Sequence, residues 1–143
     1  MAPSAKSAAT RSVPDPRAAR APSSGTEWLV EAWGCDPAAL RSLPGLTALF
    51  RRMVDELGLI PVGEPRWHQF PGEGGVTGLL LLAESHLCCH SFPETGLFTL
   101  NLYCCRPRPA WPFAERLRQD LGATDVAVRA LPRGGPPRGE GSP

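Results

Sequence analysis

Reactive side chains crowd the middle of this 143-residue chain, in the segment LLLLAESHLCCH from Leu79 to His90. An apolar run typical of a buried strand ends there in an acid, a serine, two histidines and two cysteines. Burial of a strand alone does not require such reactive side chains. A serine with a histidine and an acid is typical of hydrolases, whereas histidines with cysteines are typical zinc ligands.

Neither chemistry is supported by its usual spacing. The G-x-S-x-G turn that presents a hydrolase nucleophile is absent around Ser85. A metal site would draw on four side chains that share one strand face: His86, Cys88, His90 and Cys105. The cysteines form adjacent pairs, whereas zinc motifs use C-x₂-C. We therefore expect no metal. Taken singly, each side chain is more often a satisfied polar group on a half-buried strand.

The net charge, the length of the apolar runs and the cysteine count together indicate a small cytoplasmic protein. With 15 basic and 14 acidic residues, the net charge of +1 offers no electrostatic basis for binding nucleic acid or a membrane surface. No apolar run approaches the roughly 18 residues that a membrane span needs. The five cysteines are odd in number and four are adjacent. Neighbouring strand residues point to opposite faces, so we expect reduced thiols rather than a disulfide framework.

Composition divides the chain into three parts. Residues 1–25 are mostly Ala, Ser, Pro and Arg, with almost no large apolar side chains. Such a segment cannot offset the entropy of ordering, so we expect a disordered N-terminal extension. The tail GGPPRGEGSP, residues 134–143, is expected to be disordered for the same reason. One folded domain is expected over residues 26–133.

Periodicity within that domain predicts the elements that position the reactive segment. Helices are predicted from Asp36, as N-cap, to Leu57 with an interruption near Pro44, and over residues 111–121. Strands are predicted over residues 27–33, 66–70, 76–83, 86–92, 97–105 and 124–131. The order β-α-β-β-β-β-α-β predicts an α+β fold, a two-layer sandwich with an antiparallel sheet and helices on one face.

Alternation assigns the reactive residues to the two faces of that sheet. If the turn PETG, residues 93–96, joins its strands by an even-length loop, His90 shares a face with Asn101 and Cys105. Cys104 then faces the core. We expect this polar face to lie close to Ser85, at the start of the same strand as His90. Since the helices cover the other face, the polar face must meet solvent, a ligand or a second subunit.

The segment GVTGLLLLAESHLCCHSFPETGLFTLNLYCC, residues 75–105, resembles the core of the prokaryotic S-adenosylmethionine decarboxylases. The pattern there is G-V-[ST]-G, an apolar run, A-E-S-H, a second His four residues on, W-P-E, and a strand that ends in Cys. The resemblance extends back through LVEAWGCDP and HQF and forward to VRALPRG. It covers nearly all of residues 26–134, and the ordered occurrence of these pieces is a specific signal.

The resemblance implies a proenzyme that cuts itself between Glu84 and Ser85. In that family the serine hydroxyl attacks the preceding carbonyl, elimination breaks the chain, and the serine becomes a pyruvoyl group. This cofactor forms a Schiff base with the substrate. By motif position, the resemblance implies that His90 is the processing base and that Thr77 assists processing. It also implies that Cys105 donates the proton to the product carbon.

The resemblance also implies a substrate, S-adenosylmethionine, and a product that is the aminopropyl donor for spermidine. Phe70, Phe92 and Glu94 match positions of the family's substrate pocket, where aromatic faces suit a sulfonium and an adenine. Phe92 stands where a Trp is usual and Asn101 where an Asp is usual. These departures leave two alternatives open: a pyruvoyl-dependent decarboxylase of arginine or ornithine, and an unprocessed regulatory homologue.

The family further implies a homodimer. Two protomers pair face to face through their polar sheet faces, which gives an αββα sandwich with the active site near the interface. The αββα arrangement would supply the cover that the polar face requires.

Overall fold

The structure, a computed structural model, describes residues 25–135. The disorder expected for residues 1–24 and 136–143 lies outside the described residues. The elements in chain order are β1 (Gly25–Trp33), α1 (Pro37–Arg41), α2 (Leu43–Leu57), β2 (Arg66–Gln69), β3 (Val76–Leu82), β4 (Ser85–Phe92), β5 (Leu97–Cys104), α3 (Phe113–Leu121) and β6 (Asp125–Arg133). Most bounds lie within two residues of the predicted ones, and β1 begins one residue inside the expected extension.

The strands form one antiparallel sheet in the order β2-β3-β4-β5-β1-β6. β4 therefore lies in the interior of the sheet, between β3 and β5. His90 pairs with Thr99 and Cys88 pairs with Asn101. The predicted parity is thus confirmed, because paired residues share a face and His90 and Asn101 lie on the same one. The predicted antiparallel α+β fold is confirmed as well.

Capping residues set the bounds of the helices that cover one side of this sheet. Asp36 caps α1 through its side chain, as predicted. Ser42 ends α1 and its hydroxyl caps α2, with Pro44 in the first turn of α2. The predicted interruption is therefore a break at Ser42, two residues before the proline. Gly58 closes α2 in the left-handed conformation, with φ 61°.

One apolar core fills the space between the helices and the sheet. Its largest fully buried side chains come from both layers: Leu40, Leu46, Leu49, Phe50, Met53 and Leu117 from the helices, and Val30, Val76, Leu87, Phe98 and Leu102 from the strands. Burial of each contributes roughly 1.5–3 kcal/mol to folding. Cys104 is 1% exposed and is a core residue, as alternation predicted.

The opposite side of the sheet is called here the open face. It carries the alternate residues of each strand: Glu27, Leu29 and Glu31 of β1, Thr77, Leu79 and Leu81 of β3, His86, Cys88, His90 and Phe92 of β4, Thr99, Asn101 and Tyr103 of β5, and Arg129 and Leu131 of β6. Its apolar members include Leu79 and Leu81, which are 50% and 57% exposed.

Candidate active site

A two-residue turn joins β3 to β4 and ends at a strained residue. Leu82 pairs with Ser85 across the turn formed by Ala83 and Glu84. Ser85 has φ 149°, and within residues 25–135 it is the only residue other than glycine with a positive φ. Such a conformation costs a residue with a Cβ atom about 1–3 kcal/mol. The peptide bond between Glu84 and Ser85 therefore lies at a strained junction.

Glu84 is held through both its carbonyl group and its carboxylate. The backbone N–H of Cys105 donates to the Glu84 carbonyl oxygen at 2.9 Å. Arg108 donates to the carboxylate at 2.9 Å, and Arg106 pairs with it at 3.6 Å. Arg108 also donates to the carbonyl of Leu57 at the end of α2, at 3.0 Å. The carbonyl of Glu84 is thus fixed in place and faces a donor suited to stabilise negative charge on its oxygen.

Four side chains form a hydrogen-bonded chain that begins at the strained serine and is called here the Ser85 relay. The Ser85 Oγ lies 3.3 Å from His86 Nδ1, and His86 Nε2 lies 3.0 Å from Asn101 Oδ1. Asn101 Nδ2 donates to the Glu27 carboxylate at 2.7 Å. This bond from Asn101, and then the side chain of Arg133, outweigh burial and hold the pKa of Glu27 below its ordinary value. The relay therefore ends on a carboxylate.

His90 lies at the other end of β4. It lies five positions along the strand from Ser85, which corresponds to about 16 Å. The expectation that the polar face brings His90 close to Ser85 is therefore wrong within one protomer. Both residues belong to β4, but an extended strand keeps them apart. Instead, His90 Nδ1 lies 2.7 Å from the Thr77 hydroxyl oxygen.

Aromatic side chains surround His90. Its ring centroid is 4.2 Å from that of Phe92 and 5.7 Å from that of Phe70. A pocket of about 210 Å³ is lined by these three residues and Glu94, among others. The structure thus brings together the predicted substrate-pocket residues and the predicted processing histidine. The term aromatic cluster is used below for the rings of Phe70, His90 and Phe92 together with the neighbouring side chains of Thr77 and Glu94.

The cysteines divide into core and surface groups. All five are free thiols. Burial raises the pKa of Cys104 and of Cys35, and raises that of Cys89 to about 12, so these stay neutral. Cys105 follows β5, is half-buried, and lies beside Glu84 through its backbone N–H. The predicted contrast between a core Cys104 and an accessible Cys105 is therefore present.

The metal alternative has no site in the described part of the chain. Across residues 25–135, no three His, Cys, Asp or Glu side chains lie close enough together to hold a metal ion. In the same range, none of the helices has the length and apolar character that crossing a membrane requires.

Sequence reasoning missed several residues of this site. It named His86 only as a possible metal ligand, although the Ser-His adjacency and strand alternation were visible. It did not single out Glu27, Arg106 or Arg108. Glu27 reaches Asn101 because β1 inserts beside β5, a pairing that sequence order does not reveal. The two arginines contact a carboxylate more than 20 residues earlier in the chain, and no local pattern signals this contact.

Known proteins resemble this chain over the whole folded part. The family model described as S-adenosylmethionine decarboxylase matches residues 26–134. The S-adenosylmethionine decarboxylase proenzyme of Shouchella clausii is 36% identical over 111 residues, which cover 77% of this chain and 84% of that protein. The S-adenosylmethionine decarboxylase proenzyme 2 of Halalkalibacterium halodurans is 34% identical over 111 residues, with coverage of 77% and 86%.

A solved structure shares the fold. The crystal structure of the adenosylmethionine decarboxylase from Aquifex aeolicus aligns with a TM-score of 0.65 at 24% sequence identity. The alignment covers 85% of this chain and 98% of that one. At this identity the likeness establishes the architecture. Together with the family match and the sequence identity to the two proenzymes, it shows that the chain belongs to the S-adenosylmethionine decarboxylase family.

Proposed function

We propose that this protein is a cytoplasmic, pyruvoyl-dependent S-adenosylmethionine decarboxylase that forms its cofactor by self-cleavage between Glu84 and Ser85. Its product would serve as the aminopropyl donor for spermidine. The observation that carries the proposal is the junction itself. Ser85 is strained, the Glu84 carbonyl faces the N–H of Cys105, and an imidazole lies within reach of the Ser85 hydroxyl. Each feature favours attack of the hydroxyl on the preceding carbonyl.

Ser85 and Cys105 have successive roles in this proposal. A pyruvoyl group formed from Ser85 would supply the ketone that serves as the electron sink for decarboxylation. Cys105, half-buried at the junction, returns a proton to the α-carbon of the substrate. Cys104 is unsuited to this role because it is buried in the core and burial raises its pKa.

A homodimer paired through the open faces would explain the separation of His90 from Ser85. A twofold axis through the middle of β4 brings His90 of the partner subunit opposite Ser85. Leu79 and Leu81 are exposed neighbours on the open face and favour such pairing, because the pairing would remove their apolar surface from water. The assembly has αββα layers and two identical sites, each built from the Ser85 end of one chain and the aromatic cluster of the other.

The aromatic cluster is the substrate-binding half of the proposed site. Its pocket of about 210 Å³ is smaller than the roughly 300–1,000 Å³ typical of ligand sites. A pocket completed by a second subunit accounts for the difference. The rings of Phe70 and Phe92 offer faces to a sulfonium or an adenine, with contacts of about 0.5–2 kcal/mol each. Glu94 is exposed and supplies a carboxylate acceptor at the pocket rim.

Intact mass of the purified full chain tests the proposal. Two fragments divided at Glu84–Ser85 are expected, with the C-terminal one lighter by one ammonia than a peptide that begins with serine. Release of CO₂ is then measured from S-adenosylmethionine, arginine and ornithine, and we expect it from the first. The Ser85→Ala variant should fold, stay uncut and release none.

Three outcomes would contradict parts of this proposal. Activity in Ser85→Ala would exclude the pyruvoyl chemistry. Release of CO₂ from arginine or ornithine alone would keep that chemistry and replace the substrate. A wild-type chain that stays uncut would instead favour a regulatory homologue.

A further inference from the structure

We infer that His86 is the catalytic base that takes the proton of the Ser85 hydroxyl in the first step of self-cleavage. The inference rests on the proposed function and deepens it, because the family resemblance gives this histidine no part in self-cleavage. His86 Nδ1 lies 3.3 Å from the Ser85 Oγ. His90 is five residues along β4, about 16 Å away within the chain. His86 is therefore the imidazole that the protomer itself presents to the attacking atom.

The Ser85 relay determines which nitrogen of His86 carries the proton. The Glu27 carboxylate can only accept, so Asn101 must direct its Nδ2 group toward Glu27, at 2.7 Å. Asn101 Oδ1 then faces His86 Nε2 at 3.0 Å and requires a proton on that nitrogen. The thiol of Cys88 also donates to the same oxygen, at 3.8 Å. In the neutral ring, Nδ1 is left with a lone pair directed at the Ser85 hydroxyl.

This arrangement supports a balanced acyl shift. As the Ser85 Oγ bonds to the Glu84 carbonyl carbon, its proton passes to His86 Nδ1. The carbonyl electron pair moves to the oxygen, to which the Cys105 N–H donates at 2.9 Å. When that pair returns, the bond between the carbonyl carbon and the Ser85 nitrogen breaks, and the nitrogen takes the proton from His86. The products are an ester and a free amine, and His86 is neutral again.

The elimination that follows needs a second base for the Ser85 α-proton. We give that role to His90 of the partner subunit, the residue that the family resemblance implies is the processing base, so the two histidines act on different protons in successive steps. Asn101 and Glu27 are positioning residues, because they orient His86 without touching the reacting atoms.

Hydroxylamine distinguishes the two steps, since it cleaves an ester under conditions that leave a peptide bond intact. The His86→Ala variant should self-cleave at least about 10²-fold more slowly than wild type. It should also yield no fragments with hydroxylamine. The His90→Ala variant should stay uncut alone but yield two fragments with hydroxylamine. Added imidazole should restore cleavage in His86→Ala. His68→Ala, which removes the chain's third histidine, should self-cleave like wild type.

A second pair of variants tests the orientation of the ring. Asn101→Leu removes the acceptor of the His86 Nε2 proton and should slow self-cleavage. Glu27→Gln should retain most of the rate, because its amide oxygen still accepts from Asn101. If His86→Ala fails to fold by circular dichroism, His86→Gln replaces it, since glutamine keeps a polar side chain but cannot take the proton.

Two results would overturn the assignment while leaving the proposed function intact. One is self-cleavage of the His86 variants at the wild-type rate. The other is an uncut His86 variant that hydroxylamine splits, because the ester would then form without this base. An uncut wild-type chain would instead contradict the proposed function itself.

Discussion

The two ends of β4 present different chemistry on the open face. At the Ser85 end, the backbone is strained, Glu84 is held by two arginines, and polar side chains are linked in a relay. At the His90 end, aromatic rings surround a small pocket, and one hydroxyl lies within hydrogen-bond distance of the imidazole. In the proposed function, the first end holds the bond that is cut, the second offers surfaces for a ligand, and neither end is a complete site.

This difference shows how one short strand can serve two halves of a site. Within a chain, an extended backbone keeps the two ends about 16 Å apart. In the proposed dimer, the twofold axis exchanges them, so that each end meets the complementary end of the partner. A single sequence then builds two complete sites from two unlike halves.

Coexpression of Ser85→Ala with His90→Ala tests most directly whether each site combines the Ser85 end of one chain with the His90 end of its partner. Each variant alone should stay uncut. In a mixed dimer, one of the two sites combines an intact Ser85 with an intact His90, so random pairing should restore about a quarter of the sites. Fragments on a denaturing gel and CO₂ release measure the recovery. Absence of any recovery in dimers shown to be mixed would place both residues in one chain's site.

Cys105→Ala should separate cleavage from decarboxylation at the Ser85 end. The variant keeps the backbone N–H that contacts Glu84, so fragments should appear at a rate near that of wild type. It loses the proposed proton donor, so kcat should fall by about 10²-fold or more. Cys35→Ala, which removes a buried thiol just beyond the far end of β1, is the control and should fall less. Unchanged kcat in Cys105→Ala would remove the assigned role.

A charged side chain introduced on the open face, between the two ends of β4, should disrupt the proposed dimer. Leu81→Glu places a carboxylate on the open face at a side chain that is 57% exposed. We expect a monomer by sedimentation and slower self-cleavage, because His90 of the partner subunit is lost. Val128→Glu is the control, since Val128 is 43% exposed on the helix side of the sheet. A Leu81→Glu variant that remains dimeric and cleaves normally would argue against pairing through this face.

The smallest effect is expected at the His90 end, from loss of one hydroxyl. Thr77→Val removes the oxygen that lies 2.7 Å from His90 Nδ1. A hydrogen bond of this kind is worth about 0.5–1.5 kcal/mol, so self-cleavage should slow by up to roughly tenfold. Thr99→Val is the matched control, because its hydroxyl donates to the His90 backbone oxygen at 3.4 Å rather than to the ring. Equal effects in both variants would point to strand packing instead.

Local patterns in the sequence determined much of this protein. Alternation placed His90 and Asn101 on one face and Cys104 in the core, because side chains alternate along any strand whatever lies around it. Capping residues set the helix bounds in the same way: Asp36 caps α1 as predicted, and α2 ends at the predicted Leu57, where Gly58 closes it. Helices on one side of an antiparallel sheet followed from the order of the elements. The resemblance then singled out the Glu84–Ser85 junction.

Only the tertiary structure decided how the reactive residues are grouped. The insertion of β1 beside β5 carries Glu27 to Asn101 and so completes the relay behind His86. Arg108 reaches Glu84 from a loop beyond β5. Both contacts join residues far apart in the chain, and they depend on how the sheet and helices pack as a whole. Periodicity reports the face on which a side chain lies, whereas distance across that face depends on strand order and register.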